Sequence, residues 1–328
     1  MPFTNTKAVT RIAIIGVGQV GAAAAYALIL NSIASELLLV DTKIDLRDGQ
    51  VRDLSDVSYS CNSGTRVRAA THHEASQCDI VVITAGSRSY RGMGYDMRMI
   101  FSNVSSGETS IQHMYRKIAI IESINNAMKP FGSGTILLIV ANPVDLLTSF
   151  AQEHSGLPAS LVLGSGTFLD SVRLRGLLAD KAGVSTSSID LQVLGVHGES
   201  QVVAWSNATL CGVSIDKALP SNTFNPNHLA NECKQRSQKI IQAKGKISFG
   251  IGSAISRICA SILFDKRNVY PISHFQPEWG CCFSLPAVLG RNGIIRTVQM
   301  STSSDERADI ENSVKILSTT LERIRNDR

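Results

Sequence analysis

The chain has 328 residues, 44% of them hydrophobic and 18% charged; that is two domains' worth of length at roughly 150 residues each, with too little charge for disorder. Its 32 Lys and Arg against 27 Asp and Glu leave a net +5 spread along the chain, which makes no argument for nucleic acid and suits a small anionic ligand at least as well. The longest apolar run, Ile136 to Ala141, falls far short of the roughly 18 residues of a membrane span.

Taken in order, the first half alternates short apolar strands with helices. Arg11 to Ile15 reads as a strand, Gln19 to Leu30 as an Ala-rich helix, and Glu36 to Val40, Asp79 to Thr84 and Ile136 to Val140 as further strands. Strands apolar on both faces belong to a parallel sheet covered by helices on each side. In the second half Ser187 to Gly195 and Ser200 to Trp205 are strand-like, and His228 to Ala243 and Ile251 to Leu263 are helical. Gly280 to Leu289 is β-like, with Pro286 marking an edge or a bend. A closing amphipathic helix, capped by Asp305, carries Ile310, Val314, Leu317, Leu321 and Ile324 on one face. The expected fold is α/β: a doubly wound parallel sheet over residues 1–164, then an α+β substrate-binding and catalytic domain over residues 165–328.

Seven Cys with no C-x-x-C pair, and seven His with no H-x-x-x-H spacing, favour reduced thiols over a disulfide framework and predict no metal site. The first residues lack the apolar stretch and cleavage site of a secretory signal. A cytoplasmic location is therefore expected.

After the first strand comes Gly16-Val17-Gly18-Gln19-Val20-Gly21, with Asp41 twenty residues beyond at the end of the second strand. This is the Rossmann dinucleotide pattern in its full context. Gly16 allows the tight turn, and Gly18 and Val20 bring free backbone N–H groups to a pyrophosphate. Gly21 permits close packing, and Asp41 accepts from a ribose hydroxyl. A carboxylate there repels a 2′-phosphate, so NAD is expected over NADP. Thr84, Gly86 and Asn142 lie at the carboxyl ends of two further strands, where ligands bind in such sheets. Asn142-Pro143 reads equally as a plain turn.

Two segments of the second half carry acid–base chemistry. Asp170 and Arg173 stand three apart on one helical face, and His197 sits between Gly195 and Gly198. Taken singly, these also read as an ordinary ion pair and a turn histidine. Together with ITAG, ANPVD, LGSGTFLDSVRLR, GVHGES and WGCCFSLPAVLGRNGI, the whole set resembles the L-lactate dehydrogenase branch of the lactate/malate dehydrogenases.

That resemblance implies a NAD-dependent interconversion of a 2-hydroxy and a 2-oxo acid, pyruvate and lactate, in a homo-oligomer (tetramer or dimer). It implies His197 as acid and base, Asp170 as its partner, Arg173 as the anchor of the substrate carboxylate, and Asn142 as a contact to both substrate and cofactor. It also marks departures. The family's lid arginine falls on Ser110. Residues 87–110 are longer than the family's lid and contain Arg88, Arg91 and Arg98; all three read first as solvated surface charges, with Arg98 the candidate replacement otherwise. Ser89 is a weak candidate for the position that separates pyruvate from oxaloacetate. Ile247 stands where a Thr usually lines the substrate pocket, and Val196 stands where an acid commonly precedes the histidine.

Overall fold

The computed structural model describes residues 9–86, 110–219 and 225–327. In the first half β1 (Arg11–Ile15), β2 (Glu36–Val40), β3 (Arg66–Ala69), β4 (Ile80–Ile83), β5 (Ile136–Ile139) and β6 (Val162–Gly164) pair in parallel. Their order across the sheet is β3-β2-β1-β4-β5-β6. Alternate residues of each strand enter opposite cores. Ile12, Ile14, Leu37, Leu39, Ile80 and Val82 face one side; Ala13, Ile15, Leu38, Val40, Val81 and Ile83 face the other. The first side is covered by α1 (Gln19–Leu30) and α2 (Ile44–Cys61). The second is covered by α3 (His72–Ala75), α4 (Ser110–Met128) and α5 (Val144–Ser155). The strand order reverses between β1 and β4, which opens a crevice at their carboxyl ends.

The second half begins with α6 (Phe168–Ala182), then runs through short strands β7 (Ile189–Asp190), β8 (Val193–Leu194), β9 (Val202–Val203), β10 (Thr209–Leu210) and β11 (Val213–Ser214). Helices α7 (Ile215–Ala218), α8 (Pro226–Lys244) and α9 (Phe249–Leu263) follow. The long hairpin β12 (Asn268–Gln276) and β13 (Cys281–Gly290), then β14 (Gly293–Thr297) and α10 (Ser304–Asn326), close the chain. β12 pairs antiparallel with β6, so among the described residues the sheet continues unbroken into nine strands. α9 lies on α1 so closely that a Cβ at Gly252 would stand 2.5 Å from the Ala23 carbonyl oxygen.

Several sequence expectations are corrected. Ser187 to Gly195 is not one strand. It divides into a turn at Thr186–Ser188, β7 paired with β10, and β8 paired with β9, because the chain changes partner between Asp190 and Val193. The strand expected over Ser200 to Trp205 shortens to β9, and Trp205 opens a 3-10 turn. Pro286 lies on neither an edge nor a bend. It faces Pro271 across β12, and its carbonyl accepts from Val298 on the β14 side. Its missing N–H therefore removes no bond to β12. The register shift comes two residues later, between Val288 and Leu289. The cap of α10 is Ser303, not Asp305: Ser303 and Glu306 form a reciprocal capping box.

Of the seven thiols, Cys61 and Cys211 are exposed and Cys78, Cys233, Cys259, Cys281 and Cys282 are buried, none of them bridged. Among the described residues no helix is long and apolar enough to cross a membrane.

Candidate active site

The glycine loop between β1 and α1 is tied down from three sides. Gly16 has φ +91°, and a Cβ there would lie 2.7 Å from the Ala85 backbone. Only glycine fits both the conformation and the space. Gly21 would place a Cβ 2.1 Å from the Gly16 oxygen, so α1 packs directly on its own loop. Thr84 donates its hydroxyl to the Gly16 carbonyl at 2.5 Å. Asp41 accepts from the Val17 N–H at 2.9 Å and from the Lys43 N–H at 2.9 Å, joining the end of β2 to the loop. By contrast, a Cβ at Gly18 would meet nothing within 4 Å. Gly18 caps α1 without a side-chain bond, and no acidic residue sits in the first turn. The free N–H groups of that turn face an open cradle of the kind a pyrophosphate fills. Gly86, exposed beyond β4, and half-buried Asn142, beyond β5, sit at the carboxyl ends of neighbouring strands. The donor set therefore fits a dinucleotide.

The second cluster lies where α6 meets the loop after β8. Asp170 falls in the first turn of α6, where the helix dipole favours a carboxylate. The helix is stitched to β8 by its own hydroxyls. Thr167 donates to the Val193 carbonyl at 2.5 Å, and the Ser171 hydroxyl takes the Val193 N–H at 2.8 Å. A Cβ at Gly166, φ +51°, would stand 2.4 Å from the Ser284 hydroxyl, so the GSGT turn has no room for one. Beyond β8, Gly195 exchanges both backbone bonds with Ser284. This frame brings the His197 ring to Asp170, Nδ1 to Oδ2 at 2.8 Å. Arg173 Nη1 approaches the other oxygen at 3.3 Å.

Electrostatics follow from that geometry. Burial alone would raise Asp170, but the charges and hydrogen bonds of His197 and Arg173 outweigh it and hold the carboxyl below its ordinary range. Burial alone would lower His197, but the Asp170 charge and hydrogen bond outweigh it and hold the imidazole above its ordinary range. The His197 side chain remains 23% exposed, so a small molecule can reach it.

Three neighbours were not assigned roles from the sequence. Asp145, in the first turn of α5, takes the His197 backbone N–H on Oδ2 at 2.7 Å. Burial pushes its carboxyl up to about 6, although the His197 N–H and charge favour the charged form. Its Oδ1 and the Ser273 hydroxyl have no hydrogen-bond partner among the described residues. Lys117 on α4 is 3% exposed and donates its ammonium to the Asn142 carbonyl at 2.8 Å. Burial pulls that ammonium down to about 7. Ser237 on α8 accepts from Arg173 Nη1 at 2.6 Å. Lys117 had a faint signal, a Lys between Met114 and Ile118 on the apolar face of α4. Ser237 had none, since α8 reaches α6 only through the tertiary fold.

The remaining expectations fall elsewhere. Ile247 is half-buried in the turn between α8 and α9. Val196 is buried and packs in the core with Phe283 and Val314. Ser110 begins α4. Ser89, Arg88, Arg91 and Arg98 lie outside the described residues. Among the described residues no group of three or more His, Cys, Asp or Glu could hold a metal.

Residues 10–164 match the model of the lactate/malate dehydrogenase NAD-binding domain, and residues 167–327 match that of the lactate/malate dehydrogenase α/β C-terminal domain. This chain belongs to the lactate/malate dehydrogenase family. Its relatives in that family include L-lactate dehydrogenase A of Rhizopus oryzae, 34% identical over 94% of this chain and 91% of the relative. Another is L-lactate dehydrogenase 2 of Staphylococcus aureus, 32% identical over 96% of this chain and 97% of the relative. Among solved structures, a minor L-lactate dehydrogenase from Enterococcus mundtii superposes with a TM-score of 0.86 at 30% identity, covering 96% of this chain and 98% of the other. A lactate dehydrogenase from a Medee basin deep-sea metagenome library superposes with a TM-score of 0.87 at 29% identity and the same coverage. The family's description assigns the first half to NAD binding, in agreement with the glycine cradle and Asp41.

Proposed function

We propose that this chain is an L-lactate dehydrogenase that interconverts (S)-lactate and pyruvate with NAD as its cofactor. The observation that carries the reading is the Asp170–His197–Arg173 cluster: one acid–base ring, oriented on one nitrogen, beside one guanidinium. The names of the relatives support lactate and pyruvate as the substrate pair.

The cofactor would be held by the N–H groups of Gly18 and Val20, by Asp41, and by Thr84, Gly86 and Asn142. Bound there, it supplies and takes back a hydride. The protein's own work is on the substrate. Arg173 holds the carboxylate, because a planar guanidinium can bond both oxygens at once. Its Nη1 already serves Asp170 and Ser237, which leaves Nε and Nη2 for that task. With Nδ1 engaged by Asp170, the proton that His197 exchanges is on Nε2. In pyruvate reduction Nε2 gives its proton to the carbonyl oxygen; in lactate oxidation it takes one from the hydroxyl. Asp170 keeps the tautomer correct and stabilises the imidazolium. Asn142 orients the substrate, and Ile247 supplies an apolar wall for its methyl end.

The reading also includes a division near residue 164, a cytoplasmic location and a homo-oligomer. Exposed Tyr26, Leu30, Ile44 and Tyr59 on adjoining α1 and α2 support the last of these. The test is NADH oxidation by the purified protein with pyruvate and oxaloacetate at equal concentration. Preferred turnover of pyruvate is expected. Preference for oxaloacetate moves the assignment to malate dehydrogenase, and NADH binding without turnover on either substrate removes the catalytic reading.

A further inference from the structure

We infer that the groove between the outer sides of α6 and α8 is an accessory binding site for a small acidic amino acid, separate from the catalytic cluster. The groove has a volume of about 560 Å³ and is lined by Lys181 of α6 and by His228, Asn231, Glu232, Gln235 and Lys239 of α8. None of these residues enters the dehydrogenase reading, so the two stand or fall separately.

The spacing along α8 makes the groove. His228, Asn231, Glu232, Gln235 and Lys239 recur three or four residues apart, which sets them along one side of the helix. Leu229 and Cys233 turn inward, into a core shared with Leu174 and Leu178 of α6. That apolar seam holds the two helices side by side. Lys181, in the last turn of α6, closes the groove from across it. The residues of α8 that reach the catalytic framework, Lys234, Ser237 and Gln238, take no part in the lining.

The charges of the lining select the ligand. Other lysines of the chain are committed: Lys117 to the Asn142 carbonyl, Lys234 to the Glu199 carbonyl, Lys244 over the Phe249 ring and Lys266 over the Phe264 ring. Lys181 and Lys239 have no hydrogen-bond or ion-pair partner among the described residues, and neither have the side-chain amides of Asn231 and Gln235. Glu232 Oε2 lies 3.9 Å from His228 Nδ1, a loose contact that leaves its other oxygen uncommitted. The groove thus presents two ammonium groups and one carboxylate. An acidic amino acid is their complement, with one carboxylate for each lysine, its ammonium for Glu232, and its remaining lone pairs for the two amides. A plain dicarboxylate leaves Glu232 facing like charge, and a monoanion leaves one lysine unmet. Because Lys181 stands on α6 and the other five residues on α8, the occupant spans both helices.

The test is calorimetric titration of the full-length protein at low ionic strength, where exposed charges are least screened. The probes are L-glutamate and glutarate, which lacks only the ammonium group. Saturable binding of one glutamate per chain is expected, tighter than that of glutarate. Lys181→Gln and Lys239→Gln, both at exposed positions, should each weaken glutamate about three- to fivefold, the scale of one exposed charge pair. Glu232→Gln should abolish the preference for glutamate over glutarate. Arg173→Gln changes the catalytic guanidinium and should leave glutamate binding in place. Absence of saturable binding at millimolar glutamate overturns the assignment, as do unchanged affinities in both lysine variants or equal binding of glutarate and glutamate by wild type. A loss confined to Arg173→Gln puts the ligand in the catalytic site and overturns it as well.

Discussion

Two carboxylates reach His197 from different directions. Asp170 takes the ring and Asp145 takes the main-chain N–H. Asp170 is held ionised by its partners, whereas Asp145 is pushed toward neutrality by burial. Pyruvate reduction needs the imidazolium, so the rate should be high below the His197 pKa and fall as pH rises through it. Asp170→Asn removes the charge that raises this pKa. It should lower kcat by about 10²–10⁴-fold and move the fall in the pH–rate profile to lower pH. An unmoved profile would deny Asp170 its role.

Asp145 makes a different prediction, with the opposite sign from Asp170. Its folded pKa is raised from 3.8 to about 6, so the stability it contributes is present below 3.8 and lost as pH rises through about 6. Asp145→Asn keeps an acceptor for the His197 N–H and removes that loss. Its effect on stability should therefore be more favourable at pH 8 than at pH 4, by on the order of 2 kcal/mol. Thermal melts at the two pH values measure it. For Lys117, whose folded pKa is depressed to about 7, the loss of stability accrues as pH falls from its unfolded value toward 7. Lys117→Met should raise Tm near pH 7 while lowering kcat/KM for pyruvate, because the Asn142 carbonyl loses its donor.

Elements position these residues through hydroxyl stitching as much as through packing. Ser171 bridges α6 to β8, accepting from Val193 while donating to Thr167 within its own helix. Ser171→Ala leaves a buried N–H without a partner, which costs about 1–3 kcal/mol. It should also reduce kcat, since β8 delivers the histidine loop. Denaturant titration and turnover on the same variant check both parts. At this scale the sequence is legible where one pattern decides the element. β1, α1 and β2 appear where continuous apolar runs and the glycine loop place them. It misleads where neighbours distant in the chain decide. The Ser187 to Gly195 run breaks because β7 and β8 choose different partners, and Pro286 sits inside the sheet because its missing N–H faces away from β12. The cap at Ser303 was obscured by a row of capping residues in the sequence. In the site, His197, Asp170 and Arg173 were readable because chemistry restricts their types. Asp145, Lys117 and Ser237 were not, because their meaning comes only from what they touch across 25 to 64 positions of chain.

For the whole molecule, the sheet has no seam. β12 adds directly to β6, and one core holds Ile12 and Leu28 from the first half together with Ile255, Ile272 and Ala287 from the second. The α1–α9 contact belongs to the same core. Unfolding should therefore be a single transition. Both tryptophans, Trp205 and Trp279, lie in the second half, so their fluorescence and the far-UV circular dichroism of the entire chain provide separate probes. Their midpoints should coincide, and NADH, held by the first half, should raise both together. Separate midpoints would mean that the halves are energetically independent.

The buried thiols turn that cohesion into something countable. A thiol reagent attacks only thiolate that it can reach, and burial both hides Cys78, Cys233 and Cys259 and pushes each thiol up to about 12. Cys61 and Cys211 should be tagged at once under native conditions, and every later adduct records an opening event. Cys233 lies against Asp170, so its labelling clock times the lifting of α8 from the catalytic cluster. Cys259, inside α9, keeps time for the separation of the two halves.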